Sequence, residues 1–373
     1  MKLTALVLGT GFAGRGHTQA LRDVGVEVVG MVGRTPHVLE AVSAELNIPY
    51  SSTNWQQALI DLQPDIVSIG TPGGAHVEPI LAALEHGCHV FCDKPLAATA
   101  ADAKKLYEAA KSVGVKTAFA ASYRYMPHVL HAKELVAQGA IGEPQEVECI
   151  SHFNLNPLIP FGWSHRLDAG GGRLNNNFTH KLSIVEHVLG GKLTAANGTT
   201  RSDMARAPIV AGVHNFKTRR DFIPKSPDDP NLEWGESDAD WSYTVLAKID
   251  SPQASTPVSA LFKHSGLQPR FHKDYVAFYG SDGAIHIERH YGHGPLHLYK
   301  DGAWQTLPLP DHITRSQPPI ADDTQRNWTI LAREFVADIR GEGDTIYQTF
   351  KDGWLYQEII EAIHASDGWR VVA

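Results

Sequence analysis

The stretch that most constrains the fold is "LTALVLGTGFAGRGHTQALRDVG", Leu3 to Gly25, where a short apolar run ends in Gly9-x-Gly11-x-x-Gly14 and passes straight into a helical pattern. Glycines at this spacing permit a tight turn, let the backbone approach a pyrophosphate and let the helix pack closely, while the helix N-terminus favours an anion. Alone, the motif also fits an ordinary tight turn. Its context favours the dinucleotide reading: "VEVVGMV", "DIVSIG", "CHVFC" and "VKTAFA" follow, separated by helical patterns such as "ADAKKLYEAAKSVG". Such alternation means βαβ units and a parallel, Rossmann-type sheet. Gly9, Gly11, Phe12, Ala13 and Gly14 are therefore expected to cradle a dinucleotide. Gly25, Gly87 and Gly114 stand between helix and strand, where a left-handed cap suits glycine.

An NAD-binding fold carries an acidic residue at the end of its second strand to hold the ribose hydroxyls. Here "VGRTP" places Gly33, Arg34 and Thr35 instead. With no carboxylate to repel a 2′-phosphate and an arginine able to pair with it, NADP is favoured over NAD, although an arginine stacked on adenine is the alternative. "SIGTPGGAH" sets Thr71, Pro72 and His76 at the carboxyl end of a strand, where open α/β sheets bind ligands. His76 is a candidate cofactor contact, with a purely local hydrogen bond at a helix start as the alternative. "VFCDKPLA" puts Asp93 and Lys94 at the same edge, and Pro95 holds Lys94 out of helix, over the expected nicotinamide position.

With 373 residues the chain is long enough for about two domains, and its formal charge of −8, without a concentrated Lys/Arg block, argues against nucleic acid or an anionic membrane as partner. A small molecule fits better. Three cysteines, Cys88, Cys92 and Cys149, suit a reducing compartment, so a cytoplasmic location is expected. Cys88 and Cys92, near His86 and His89, read as buried small hydrophobes on one strand face, and no metal site is expected. The apolar start of the chain runs into the glycine loop, which needs it as a strand rather than a leader. No apolar run reaches the roughly 18 to 20 residues that span a bilayer.

From about Tyr123 the texture changes. A helix around "HVLHAKELVAQG" leads to "EVECISHFN", and later strands, "DWSYTVLAKID", "VSALFKHSG", "YVAFYG" and a hairpin turning at Asp301-Gly302, follow one another without helices. An open, largely antiparallel sheet is implied, giving an α/β fold with a Rossmann domain over 1–122 and a substrate-binding and oligomerisation domain over 123–373. Residues 203–236, with "RRDFIPKSPDDPNLEW", read as a long irregular excursion, which in a compact domain is usually functional or mobile.

"GTGFAG", "TPGGAH", "CDKP", "YRYMPHVLHAKELVAQGAIGE", "GGGRLNNNFTHKL" and the closing "FVADIRG…KDGWLYQEIIEAIHAS", in this order, resemble the glucose-fructose oxidoreductase, inositol dehydrogenase and rhizopine-catabolism family, Gfo/Idh/MocA. The resemblance covers essentially the whole chain. It implies a pyridine-nucleotide oxidoreductase acting on sugars or polyols, assembled as a homodimer or homotetramer. The family's E-K-P lysine falls on Lys94, with Asp93 in place of glutamate, and its catalytic histidine falls on His180. Asn176 stands where the family has aspartate, Phe178 where it has glycine and Ser183 where it has a second aspartate.

A hydride leaves a carbinol carbon only as its hydroxyl loses a proton, so a positioned base is needed. His180 is the expected base and Lys94 the partner that stabilises the alkoxide, with exchanged roles as an alternative; Asn176 is expected to orient substrate or imidazole without charge. Asparagines 175–177 capping a helix start, with His180 a satisfied buried residue, is the competing structural reading. In "FGWSHRLDAGGG", Trp163 is a candidate platform for a sugar face, and His165, Arg166 and Asp168 are candidate polar contacts. A core tryptophan beside a surface Arg/Asp pair is the alternative. Arg124 and Tyr125 are placed where the domains meet, as substrate contacts or interdomain hydrogen bonds. The leading function is an NAD(P)-dependent dehydrogenase or reductase of a sugar, cyclic polyol or derivative. A glycosidase or lyase that retains its nucleotide, and a non-catalytic nucleotide-binding regulator, are the competing readings.

Overall fold

The computed structural model describes residues 2–269, 273–366 and 368–372. In the first third, β1 (Thr4–Leu8), β2 (Glu27–Val32), β3 (Tyr50–Ser52), β4 (Ile66–Ile69), β5 (His89–Cys92) and β6 (Thr117–Phe119) alternate with α1 (Phe12–Asp23), α2 (Pro36–Glu45), α3 (Trp55–Leu62), α4 (Val77–Glu85) and α5 (Ala100–Val113). Their β-branched, doubly buried strands form one parallel sheet in the order β3-β2-β1-β4-β5-β6. The order reverses direction beside β1, which creates a crevice at the strands' carboxyl ends. Gly25, Gly87 and Gly114 have φ of +81°, +74° and +76°, as the cap reading requires. Only the three-residue β3 has no counterpart in the sequence pattern.

The chain continues with α6 (Pro127–Ala137), β7 (Pro144–His152), α7 (Thr179–Leu189), β8 (Leu193–Arg201), β9 (Arg206–Ile209) and β10 (Glu233–Glu236). Next come β11 (Ser242–Ile249), β12 (Val258–Ser265), β13 (Tyr275–Gly280), β14 (Ala284–Glu288), β15 (Leu296–Lys300), β16 (Ala303–Leu307), α8 (Asp311–Ser316), α9 (Asp323–Ile339), α10 (Phe350–Ala365) and β17 (Arg370–Val371). Among the described residues, nine strands make the second sheet, β16-β15-β14-β13-β7-β12-β11-β8-β17, antiparallel except where β12 runs parallel to β7. The β15–β16 hairpin turns at Asp301 and Gly302, both at positive φ, as its Asp-Gly pair demands.

Packing crosses the expected division at residue 122. Trp328, Leu331 and Phe335 of α9 are buried in one core with Ala5, Leu21 and Phe91 of the first sheet layer. A Cβ on Gly16 would lie 2.0 Å from the Trp328 ring, so α1 carries glycine where α9 presses on it. Helix α9 thus belongs by packing to the first domain although it follows the second sheet in sequence. The expected irregular excursion is also more ordered: β9 and β10 pair antiparallel at its two ends, and residues between them reach back over the first domain. Edge contact between His214 and His37, rings 5.7 Å apart, and Lys217 Nζ placed 5.1 Å from the Phe12 ring hold it there.

Candidate active site

A cleft of about 1290 Å³ runs from the glycine loop to the junction with the second sheet. Gly9, at φ +115°, accepts a conformation costly to other residues, and a Cβ there would sit 2.7 Å from the Gly70 carbonyl oxygen. A Cβ on Gly14 would lie 1.8 Å from the Gly9 oxygen, so the third glycine serves the close approach of helix to loop, behind the cleft wall. Gly11 differs. Its φ of −79° is open to any residue, and a Cβ on it would meet no protein atom within 4 Å. The space it spares opens at the N-terminus of α1, as a bound diphosphate would require. The residues present therefore fit a dinucleotide.

Gly9, Gly11, Phe12, Ala13, Gly33, Arg34, Thr35, Thr71, Pro72 and Asp93 of the expected cofactor set line this cleft. His76 does not. It is fully buried, with Nε2 2.7 Å from the Thr71 carbonyl oxygen and Nδ1 3.1 Å from that of Leu96. Its ring thus ties the Thr71 loop to the segment after Lys94, a structural role that is neither a cleft contact nor purely local.

Lys94, two residues past β5, reaches across to the helix that begins after the glycine run. That helix opens as a wide π turn, Leu174–Phe178, and continues into α7, so Asn176 and His180 do stand on one continuous helical element. Lys94 Nζ donates to Asn176 Oδ1 at 2.9 Å, and Asn176 Nδ2 donates to the Gly172 carbonyl at 2.8 Å. This network orients the amide, because a flipped group would set its NH2 against an ammonium and its oxygen against a carbonyl. His180 completes the group, its ring edge-on to Tyr123 at 4.6 Å and to Tyr291 at 5.4 Å between centroids. Burial first, and then the charge of Lys94, hold His180 well below its ordinary pKa, so the imidazole is neutral near pH 7. Burial also lowers Lys94, with Asp93 opposing and Arg173 adding to the effect.

The three asparagines have separate work. Asn175 Nδ2 donates to the Gly171 carbonyl at 2.8 Å, which shapes the turn. Asn177 donates to Tyr291 Oη at 2.7 Å and accepts from Tyr243 Oη at 2.5 Å inside the second domain. Only Asn176 faces the lysine. The other two departures from the family pattern are interior: Phe178 packs edge-on against Tyr243 and Phe262, and Ser183 Oγ donates to the Ala121 carbonyl at 2.9 Å.

Trp163, Arg166 and Asp168 line the cleft, and Trp163 lies 5.4 Å from the Phe216 ring of the excursion. Arg166 and Asp168 form an exposed ion pair. His165 is corrected: fully buried against Trp241 and Phe161, it accepts from the Gly162 N–H at Nδ1 and forms core behind the wall. Arg124 and Tyr125 are also corrected: neither lines the cleft, Tyr125 makes the interdomain hydrogen bond, and Arg124 bonds within the second domain. In the short turn Ser122–Tyr125 it is Ser122 and Tyr123 that face the cleft. Arg124 donates from Nη2 to His187 Nδ1 at 2.6 Å, and Tyr125 Oη donates to Glu334 of α9. The sequence reading missed Tyr123, Phe153, Arg173, Arg219 and Tyr291, all on the cleft wall. The "RHYGHG" run around Tyr291 was the one usable signal, a His/Tyr-dense loop between strands.

The residues 3–121 match the model of the oxidoreductase family with an NAD-binding Rossmann fold, GFO/IDH/MocA, and residues 129–286 match that family's C-terminal domain. The chain belongs to the GFO/IDH/MocA oxidoreductase family. A levoglucosan dehydrogenase from Pseudarthrobacter phenanthrenivorans is 26% identical over 396 residues, covering 97% of this chain and 96% of that protein. The inositol 2-dehydrogenase of Streptomyces avermitilis is 29% identical over 209 residues, 55% of this chain and 59% of that one. The solved levoglucosan dehydrogenase in complex with NADH and levoglucosan shares this member's fold with a TM-score of 0.82 at 20% identity, over the whole of both chains. Among the described residues, no helix is long and apolar enough to cross a membrane.

Proposed function

We propose that this GFO/IDH/MocA member is a dehydrogenase or reductase of a sugar, cyclic polyol or close derivative. One observation carries the reading: Lys94, Asn176 and His180 converge on the cleft that begins at Gly11. The relatives named for levoglucosan and inositol support the carbohydrate class. When bound, the nicotinamide supplies the hydride acceptor. His180, neutral through burial, accepts the proton of the reacting hydroxyl, while the Lys94 ammonium, aimed by Asn176, faces the oxygen on which charge develops. Asn176 positions Lys94 without neutralising it, which leaves the full ammonium charge for the alkoxide. The rings of Tyr123 and Tyr291 pack edge-on against the His180 imidazole and fix its place at the reacting centre.

NADP is the proposed dinucleotide. No carboxylate stands at the end of β2, and Arg34 is exposed there at the cleft edge. A cytoplasmic homodimer or homotetramer is the proposed state; half-exposed Leu246 and Trp304 on the open sheet support a self-associating face, to be checked by sedimentation. The deciding experiment follows nicotinamide absorbance with a panel of sugars, inositols and sugar acids and either oxidised nucleotide. Turnover that disappears in Lys94→Met, with a lower KM for NADP than for NAD, is expected. Nucleotide binding without turnover of any compound would sink the dehydrogenase reading.

A further inference from the structure

The substrate end of the cleft holds two guanidinium groups that no carboxylate contacts among the described residues. Arg173 lies over the Trp241 ring at 4.9 Å and the Phe153 ring at 5.5 Å, and its buried Nε has no hydrogen-bond acceptor. Arg219, 7% exposed, stacks on Phe216 at 3.9 Å and uses Nη1 to donate to Ser164 Oγ at 2.7 Å. Both line the cleft. Among the described residues neither has a carboxylate within 4.0 Å. The neighbouring acids are engaged elsewhere: Asp168 pairs with Arg166, while Asp240 takes His364 on one oxygen and the N–H groups of Arg173 and Leu174 on the other.

A buried cation is ordinarily paired, and two adjacent cations sharing no anion are doubly disfavoured. Burial first, and then the charges of Arg173 and Arg220, bring Arg219 down to about 9, and burial lowers Arg173 against the opposing pull of Tyr291 and Asp240. Two planar forks stacked on aromatic rings, with donors left over, form a receptor for an oxyanion. The dinucleotide is the less fitting occupant of Arg173, because Arg173 precedes the π turn that carries Asn176 to Lys94 and so belongs to the reacting end. Arg219 is held to the Trp163 loop on the same side through Ser164 and Phe216.

We propose that the substrate carries an oxyanion group, carboxylate or phosphate, held between Arg173 and Arg219 beside the reacting hydroxyl. The proposal rests on the carbohydrate dehydrogenase reading and narrows it from neutral sugars to sugar acids or sugar phosphates.

The test compares D-gluconate, D-glucuronate and D-glucose 6-phosphate with D-glucose and myo-inositol, at constant ionic strength, in the wild type, Arg219→Gln and Arg219→Lys. At least one anionic compound should exceed its neutral counterpart in kcat/KM by about tenfold or more. The advantage should vanish in Arg219→Gln through KM rather than kcat, and return in part in Arg219→Lys. Preference for the gluconate and glucuronate arm identifies a carboxylate; preference for the 6-phosphate arm identifies a phosphate. Neutral sugars used as well as anionic ones would overturn the proposal and leave the dehydrogenase reading intact. So would an Arg219→Gln defect confined to dinucleotide affinity. If no compound turns over, the dehydrogenase reading fails instead, and calorimetric titration of malonate and inorganic phosphate into the nucleotide-loaded protein still decides the anion site. If the variants do not fold, the same titration of wild type decides, with absence of saturable binding counting against the site.

Discussion

Replacing Asn176 by aspartate restores the family's usual residue and tests the electrostatics of the site directly. The new carboxylate would lie where Oδ1 now accepts from Lys94 Nζ at 2.9 Å. Opposite charges about 4 Å apart attract by about 4 kcal/mol at an effective dielectric of about 20, and about 1.4 kcal/mol corresponds to one pH unit. Shifts of about one to three units are the general experience for such pairs. The sign is the same for both groups: an added negative charge favours each protonated form. The alkaline limb, where the lowered Lys94 loses its proton, should move to higher pH by about one to three units. The acid limb, where the strongly lowered His180 gains one, should also move up, but less, since among the described residues no side-chain hydrogen bond joins it to Asn176 as one joins Lys94. A cost accompanies this. Nδ2 now donates to the Gly172 carbonyl at 2.8 Å and the Gly170 carbonyl at 3.5 Å, and a carboxylate would face both with oxygen. A loss of about 1 to 3 kcal/mol in stability is expected from the unmade bonds. The assay is kcat/KM for oxidation against pH, with denaturant melts alongside. Superimposable pH profiles from a folded variant would refute the coupling and the roles drawn from it.

His180→Gln should lower kcat by about 10²- to 10⁴-fold with dinucleotide binding intact, measured by turnover and fluorescence titration; an unchanged kcat would remove His180 from proton transfer. Gly11→Ala should weaken dinucleotide binding with no change in thermal midpoint, because its Cβ meets no protein atom, whereas Gly14→Ala should cost about 2 kcal/mol or more, with its Cβ 1.8 Å from the Gly9 oxygen. Equal melting behaviour of these two variants would contradict the separate roles assigned to them. His17, His165 and His293 are each pushed by burial from 6.5 to about 4. Between those values the unfolded chain binds protons that the folded one refuses, so stability should fall as pH drops from about 6.5 to about 4, by up to about 3 kcal/mol for fully buried His17. Denaturant titrations at several pH values check this, and a flat profile across that window would contradict it.

The parts of this molecule legible in the sequence are those whose cause is local. A strand in a parallel sheet announces itself by β-branched residues buried on both faces, and Gly9, Gly25 and Gly114 by backbone angles that other residues resist. Three-residue β3 has too little sequence to show a period, and β8, with its Gly198 and small polar residues, is a strand because β11 and β17 pair with it. The return of α9 to the first domain is illegible for the same reason, since Trp328 reads as an ordinary core residue until Gly16 is seen beneath it.

The site divides along the same line. Lys94 and His180 stand in recognisable runs, but what surrounds them is assembled from segments far apart in the chain. Three consecutive asparagines look equivalent in sequence, yet helical rotation sends Asn175 to the turn, Asn176 to the lysine and Asn177 to a pair of tyrosines. Arg173 and Arg219 are separated by the whole of α7, β8 and β9, and no periodicity relates them. Their meaning lies in the missing acid between them, and a missing partner is a property of three-dimensional packing that no local pattern can carry. The long excursion, which as sequence was only a length without a purpose, supplies one of the two arginines and the aromatic ring beneath it. On the oxyanion proposal it is therefore the segment through which this chain selects its substrate.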